Sequence, residues 1–252
     1  MVVHHYHCLS SCSSSPEKIS RNAQTNFTTE QPIDLQSDMS LGILSHVDGS
    51  SKFSTAAASA ICGVSGPIEP KARQEIPQHL ALDVIVRPAA GPPTTREKLL
   101  EDKVRATITP VVETFLHPRQ LCQITLQVLK SVGQHEHMEL AVALNAAYLA
   151  LLDAGVPLRA VLSAVSIAVS TEGELTQNPS PAELQDARSV FTAAFSVADG
   201  VNTLLLLDGN GTFEESTVSK VLELAEKECV RLAGELRHAV KEKLEKDFIW
   251  KK

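Results

Sequence analysis

Along the chain the apolar positions follow different rhythms, and each change of rhythm marks out an element. From Leu140 to Leu152 they point in every direction, with only Asn145 strongly polar. A half-exposed helix would keep a polar face, so this run predicts a helix covered on all sides. It falls short of the roughly 20 apolar residues that cross a bilayer, and Glu139 and Asp153 bound it. Gly155 can take the left-handed conformation that closes a helix, and Pro157 cannot continue one. Asn145 must find hydrogen-bond partners in such a setting, and its expected role is structural, holding backbone groups at the buried helix.

A second rhythm has period two. Cys122, Ile124, Leu126 and Val128 alternate with Gln123, Thr125 and Gln127, which predicts a strand from Leu121 with one face in the core. Leu80–Arg87, stopped by Pro88, reads as another strand. Ala160–Ser170 reads as a strand buried on both faces, with Glu172-Gly173 able to turn it back. Earlier, Leu44–Val47 and Ser59–Val64 are expected to pair across an Asp48-Gly49 turn, with Gly66-Pro67 as the stop. Ser189–Phe195 and Val201–Leu207 are expected to form a pair closed by Asp208-Gly209-Asn210-Gly211.

The third rhythm is helical. Leu99, Leu100, Val104 and Ile108 give an inward face to a helix capped by Thr94 or Thr95, with Glu97 in its first turn and Pro110 kinking or ending it. Ser180 and Glu183 form a capping-box pattern for a short helix after Asn178-Pro179. Val218, Leu222, Ala225, Cys229, Leu232, Leu236 and Val240 predict a long closing helix that covers a sheet, with Lys241–Lys252 expected to fray. Residues 1–40 show no period and are rich in Ser, Thr, Asn and Gln, as expected of a disordered extension. The expected organisation is therefore residues 1–40 as extension, 41–246 as one folded domain of strands and helices, and 247–252 as a short charged tail.

Composition changes this picture little. A 252-residue chain with 43% hydrophobic residues is long enough for one large globular domain. A net charge of −7 excludes binding nucleic acid by overall charge alone and leaves room for a local basic strip. The start has no apolar run of the signal-peptide kind, and Cys62, Cys122 and Cys229 sit in apolar patterns as reduced thiols would, so an intracellular location is expected.

The candidate chemistry is sparse. Cys8 and Cys12 with His4, His5 and His7 are zinc-ligand types in an unpatterned tail, and His135 and His137 lie two apart near Glu136 and Glu139. Neither group has a distant second half-site, so no metal and no cofactor are expected. Arg87, Arg96, Lys98, Lys103, Arg105 and Arg119 form the basic cluster. Lys98 and Arg105 are seven apart, about two helical turns, and could present one edge to an RNA backbone. Glu97, Glu101 and Asp102 are interleaved with them, as on an ordinary solvated face, and Arg119 beside a proline equally fits an interface. RNA contact is expected, if anywhere, at Arg87, Arg96, Lys98, Arg105 and Arg119.

Several segments, taken in order, resemble the ribonuclease PH family and more closely its eukaryotic exosome ring subunits. They are Asp48-Gly49-Ser50 with Val64-Ser65-Gly66-Pro67-Ile68-Glu69, then Val86-Arg87-Pro88, His117-Pro118-Arg119 and Leu126-Gln127-Val128. Leu144-Asn145-Ala146-Ala147 with Ala150–Pro157 follows, and Asn178-Pro179 ends the series. The resemblance spans roughly Leu41 to Val240. It implies an α+β fold of the ribosomal protein S5 domain 2 type, with mixed sheets and packed helix pairs, in a six-membered ring that threads RNA. It also implies neighbouring ring subunits, cap subunits and a catalytic ribonuclease subunit as partners, no membrane, and a location in nucleus, nucleolus and cytoplasm.

Active members of that family cleave RNA from its 3′ end by phosphorolysis, using a Gly-Gly-Thr-Arg loop for phosphate and a catalytic carboxylate. Here the corresponding loop, Lys130–His137, has one glycine and no Thr-Arg, and Glu136 and Glu139 would repel phosphate. Ser131 stands where the family commonly has an aspartate, and Asn178 where it has an Asp-Pro. An amide is no general base. The resemblance therefore implies a non-catalytic ring subunit concerned with 3′-to-5′ RNA processing and decay. The alternative is an active phosphorolytic or hydrolytic ribonuclease, as a homodimer, working through Glu136 or Glu139. A small-molecule kinase would need a glycine-rich phosphate loop at a helix start, and the chain has none.

Overall fold

A computed structural model describes residues 38–131, 136–198 and 200–248. They belong to one compact unit, Leu35–Lys252. Among the described residues nine strands form two sheets. The first, ordered β1-β2-β3-β5-β4, comprises β1 (Asp38–Leu41), β2 (Gly49–Ser54), β3 (Ser59–Ile68), β4 (Ala81–Arg87) and β5 (Leu121–Lys130). The second, ordered β7-β6-β8-β9, comprises β6 (Val161–Ser170), β7 (Leu175–Gln177), β8 (Ala187–Ala198) and β9 (Val201–Gly211). Only β4 and β5 pair parallel, joined by the crossover helix α1 (Thr95–Ile108).

The apolar helix α2 (Glu136–Asp153) is covered as its sequence requires, because it packs on β2 and β3 of one sheet and on β6 and β8 of the other. Beyond the second sheet lies α4 (Glu215–Asp247). The strand β6 is packed by both helices: the Ser163 hydroxyl donates to the Cys229 carbonyl of α4, while the Asn145 amide of α2 exchanges two hydrogen bonds with the Ala164 backbone. Side chains of β6 thus enter the core on both faces, and eight of its ten residues are buried. The helix α3 (Pro181–Gln185) starts with the capping box Ser180–Glu183, and α1 starts with the matching pair Thr94–Glu97.

Several boundaries differ from the sequence reading. Order begins as a strand at Asp38 rather than near Leu41, and the remainder of the extension lies outside the described residues. Leu44–Val47 is a loop and Asp48-Gly49 is not a hairpin turn. Instead β2 starts at Gly49, and the Asp48 carboxylate accepts from the Gly66 amide. The hydrophobic pattern misses β2 because, of its four buried positions, two are serines and one is a glycine, with only Phe53 apolar and large. Ser51 donates to the Ala146 carbonyl and Ser50 accepts from the Leu44 amide, so both are satisfied without being apolar.

Gly66-Pro67 does not stop β3, which runs on to Ile68 through a cis peptide. Likewise Asp208–Gly211 does not close the β8–β9 pair, since β9 continues through it and the reversal lies before Val201. The expected fraying from Lys241 does not occur before Asp247, because Leu244 and Val240 still line the end of α2 and Lys243 pairs with Asp153.

Candidate functional site

The place to look for phosphorolytic chemistry is the start of α2, where the loop after β5 delivers the chain to the helix. Residues 132–135, which include His135, lie outside the described residues, as do His4, His5, His7, Cys8 and Cys12. Among the described residues no group of three or more His, Cys, Asp or Glu could hold a metal, and no helix is long and apolar enough to cross a membrane.

The first turn of α2 carries Glu136 and Glu139, and each is held by a cation from α1. Arg96 reaches Glu139 at 2.9 Å, and the Ser131 hydroxyl donates to the same carboxylate. Lys103 lies 3.0 Å from Glu136 and 2.6 Å from Asp208 of β9. The His137 ring sits 3.4 Å from Asp208, and its carbonyl accepts from the buried Thr192 hydroxyl of β8. Burial works to lower the Lys103 pKa, but the bonds to Asp208 and Glu136 outweigh it and hold the amine above its ordinary value.

This network fixes what the site can do. Backbone N–H groups and the positive end of the helix dipole would favour an anion here, and the two glutamates already occupy that role. Three carboxylates meet two cations, a net of −1 over these five groups. A phosphate brought to this end of the helix finds Arg96 and Lys103 engaged and faces unfavourable charge. Asn178, the other position of interest, ends β7 in a left-handed conformation and donates its N–H to the Ser166 carbonyl.

The five expected RNA residues do not form one cluster. Arg87 and Arg119 lie at opposite ends of the β4–β5 pair: Ala81 faces Leu121 and Arg87 faces Gln127, about 20 Å away at the rise of a strand. Arg96 turns inward to Glu139, and Arg119 pairs with Glu75 at 2.7 Å. Lys98 and Arg105 share the outer face of α1, paired with Glu101 and Asp102 respectively. Arg87 is exposed at the strand end. Sequence reasoning misses Asp208 as a site residue, since 105 positions separate it from Lys103 and nothing local announces the pairing.

Comparison with known proteins places this geometry. The profile of the 3′ exoribonuclease (RNase PH) family, domain 1, matches residues 36–157. The exosome complex component RRP46 of Saccharomyces cerevisiae is 45% identical over 212 residues, covering 81% of this chain and 95% of that protein. This chain belongs to the RNase PH family. The Schizosaccharomyces pombe exosome complex component rrp46 is 31% identical over 187 residues, 73% of this chain and 80% of that protein.

Solved structures share the fold. A crystal structure of rice Rrp46 matches 84% of this chain and 98% of that chain with a TM-score of 0.75 at 23% identity. An archaeal exosome core chain matches 80% of this chain and 86% of that chain with a TM-score of 0.65 at 15% identity. The α+β architecture implied by the resemblance is thus the family's own.

Proposed function

We propose that this protein is a non-catalytic structural subunit of an RNA exosome core ring, where it helps assemble RNase PH-like neighbours around a channel for 3′-to-5′ RNA processing and decay. The observation that carries the loss of catalysis is the saturation of the α2 start: Glu139 holds Arg96, and Glu136 with Asp208 holds Lys103. With Ser131 bonded to Glu139 and Asn178 carrying an amide, no described group at these positions remains to grip phosphate and manage a proton.

The ring reading is supported by the names of the relatives, which are exosome components, and by their coverage of nearly the whole domain. It brings with it other ring subunits, cap subunits, a catalytic ribonuclease subunit and RNA as partners, and a location in nucleus, nucleolus and cytoplasm. The RNA contacts fall to Arg87, Lys98, Arg105 and Arg119, the exposed members of the basic set, with Arg96 contributing where Glu139 releases it. The test is native mass measurement of the intact assembly purified from cells through a tag on this chain. A defined complex with several RNase PH-like subunits is expected; a stable isolated monomer or homodimer overturns the reading.

A further inference from the structure

The opposite end of α2 has the reverse electrostatics. There a cavity of about 240 Å³ opens between α2, the entry to β6, the end of β8 and α4, walled by Tyr148, Leu152, Arg159, Val161, Val197 and Arg237. Two arginines line it, and no carboxylate does among the described residues. Tyr148 stands twelve residues beyond Glu136, about 18 Å along the helix, so this cavity is separate from the acid-saturated start.

Its polar groups are built to receive something. Tyr148 is 4% exposed, yet no hydrogen bond among the described residues engages its hydroxyl, which faces the charge of Arg237. Burial pushes this phenol up to about 12, with Arg237 opposing, so at neutral pH it is a proton donor. Arg237 is exposed and has no ion pair among the described residues. Arg159 is fixed in place by Glu113, with contacts of 2.7 and 2.8 Å, and by the Phe115 ring 5.9 Å beneath it, leaving Nη1 outside the paired edge.

The nearby negative groups are already engaged. Asp153 holds Lys243 and the Ser50 amide, and the Ala150, Leu151 and Leu152 carbonyls at the end of α2 accept from Ala154, Val156 and Gly155. Two guanidinium groups against Glu113 leave the cavity a net of +1. Its volume is below the roughly 300–1,000 Å³ of sites that enclose a whole drug-sized ligand, so it fits a group of a few heavy atoms. Guanidinium forks with a hydroxyl donor match tetrahedral oxyanions.

We propose that Arg159, Arg237 and Tyr148 bind a phosphate group, carried either by free inorganic phosphate or by a nucleotide, at the C-terminal end of α2. The test is calorimetric titration of the full chain with inorganic phosphate and, separately, adenosine monophosphate, at ionic strength held constant with chloride. Saturable binding is expected, with Arg237→Ala and Tyr148→Phe each weakening it about tenfold, the value of one hydrogen bond to a charged group. Arg237→Lys, which keeps the charge and loses the fork, falls between. Tighter binding of the nucleotide assigns the site to nucleotides; equal affinities assign it to free phosphate. No saturation in the wild type, full affinity in Arg237→Ala, or acetate competing as well as phosphate overturns the proposal, the last pointing to a carboxylate from a protein partner.

Discussion

Asn145 of α2 and Ala164 of β6 exchange two hydrogen bonds in the middle of the core. The Asn145 amide donates to the Ala164 carbonyl at 2.8 Å and accepts from its N–H at 2.9 Å, so one side chain acts as a short piece of neighbouring strand. It ties the central helix to the second sheet, and at 1% exposure no water can take its place. Asn145→Ala strands a buried donor and a buried acceptor, each costing about 1–3 kcal/mol. Urea unfolding is expected to show a stability decrease of about 2–5 kcal/mol with the m-value unchanged. A decrease under about 1 kcal/mol would mean the clamp is unimportant.

Gly49 makes the corresponding tie to the first sheet by having no side chain. A Cβ there would lie 2.3 Å from the Ala154 nitrogen and 2.4 Å from the Ala150 carbonyl oxygen, both backbone atoms at the end of α2. Neither can yield without moving the helix off β2. Gly49→Ala is therefore expected to destabilise by about 3 kcal/mol or more, at the upper end of overpacking costs. Gly155→Ala, whose Cβ meets open space but whose φ is +71°, should cost less, about 1 kcal/mol. Thermal unfolding of the two variants side by side checks the order.

The buried acids set an alkaline limit. Burial pushes the Cys122 and Cys229 thiols up to about 12 and the Cys62 thiol higher still. In the unfolded chain a thiol sheds its proton near pH ~8.5, so above that pH the unfolded state binds fewer protons than the folded one. Stability from these groups is full below about pH 8.5 and falls as pH rises toward 12, by up to about 1.4 kcal/mol per group per pH unit. Denaturant midpoints measured from about pH 7 to 11 should stay level and then decline. Site-resolved alkylation at about pH 8 should leave Cys62, Cys122 and Cys229 unmodified until denaturant is added.

Lys98 and Arg105 provide the direct check on RNA contact. Both cations are themselves exposed: Arg105 pairs with the exposed Asp102, where such pairs are worth little and yield readily to a phosphate, while Lys98 reaches over the buried Glu101, which also accepts from the Val86 amide. In the assembled complex, Lys98→Glu with Arg105→Glu should weaken binding of single-stranded RNA. It should also flatten the dependence of log K on log salt by about 0.7 for each phosphate that the variant no longer neutralises. Lys241→Glu, exposed on α4 and outside the expected RNA set, is the comparison. An unchanged salt slope would remove α1 from the RNA path.

The elements legible in the sequence are those whose physics is local. The alternation of β5 and the seven-residue recurrence in α4 each follow from burial of one face, and the all-round apolar surface of α2 follows from two sheets. Elements satisfied at long range are not legible in this way. Ser50 and Ser51 are buried in β2 because Leu44 and Ala146 bond their hydroxyls, so a core strand carries the composition of a loop. The site divides the same way: the acids of the α2 start are visible in the chain, but the partners that neutralise them are not. Arg96 is 43 residues from Glu139, and Lys103 is 105 from Asp208.

The central claim is that the α2 start has closed its own phosphate site. Its most direct test is incubation of the purified chain, free of other subunits, with a 3′-end-labelled single-stranded RNA and inorganic phosphate, scoring nucleoside diphosphate released. The account predicts none above the no-protein control, with or without a divalent cation. Phosphate-dependent release of nucleoside diphosphate, abolished in Glu136→Gln or Glu139→Gln, would contradict it.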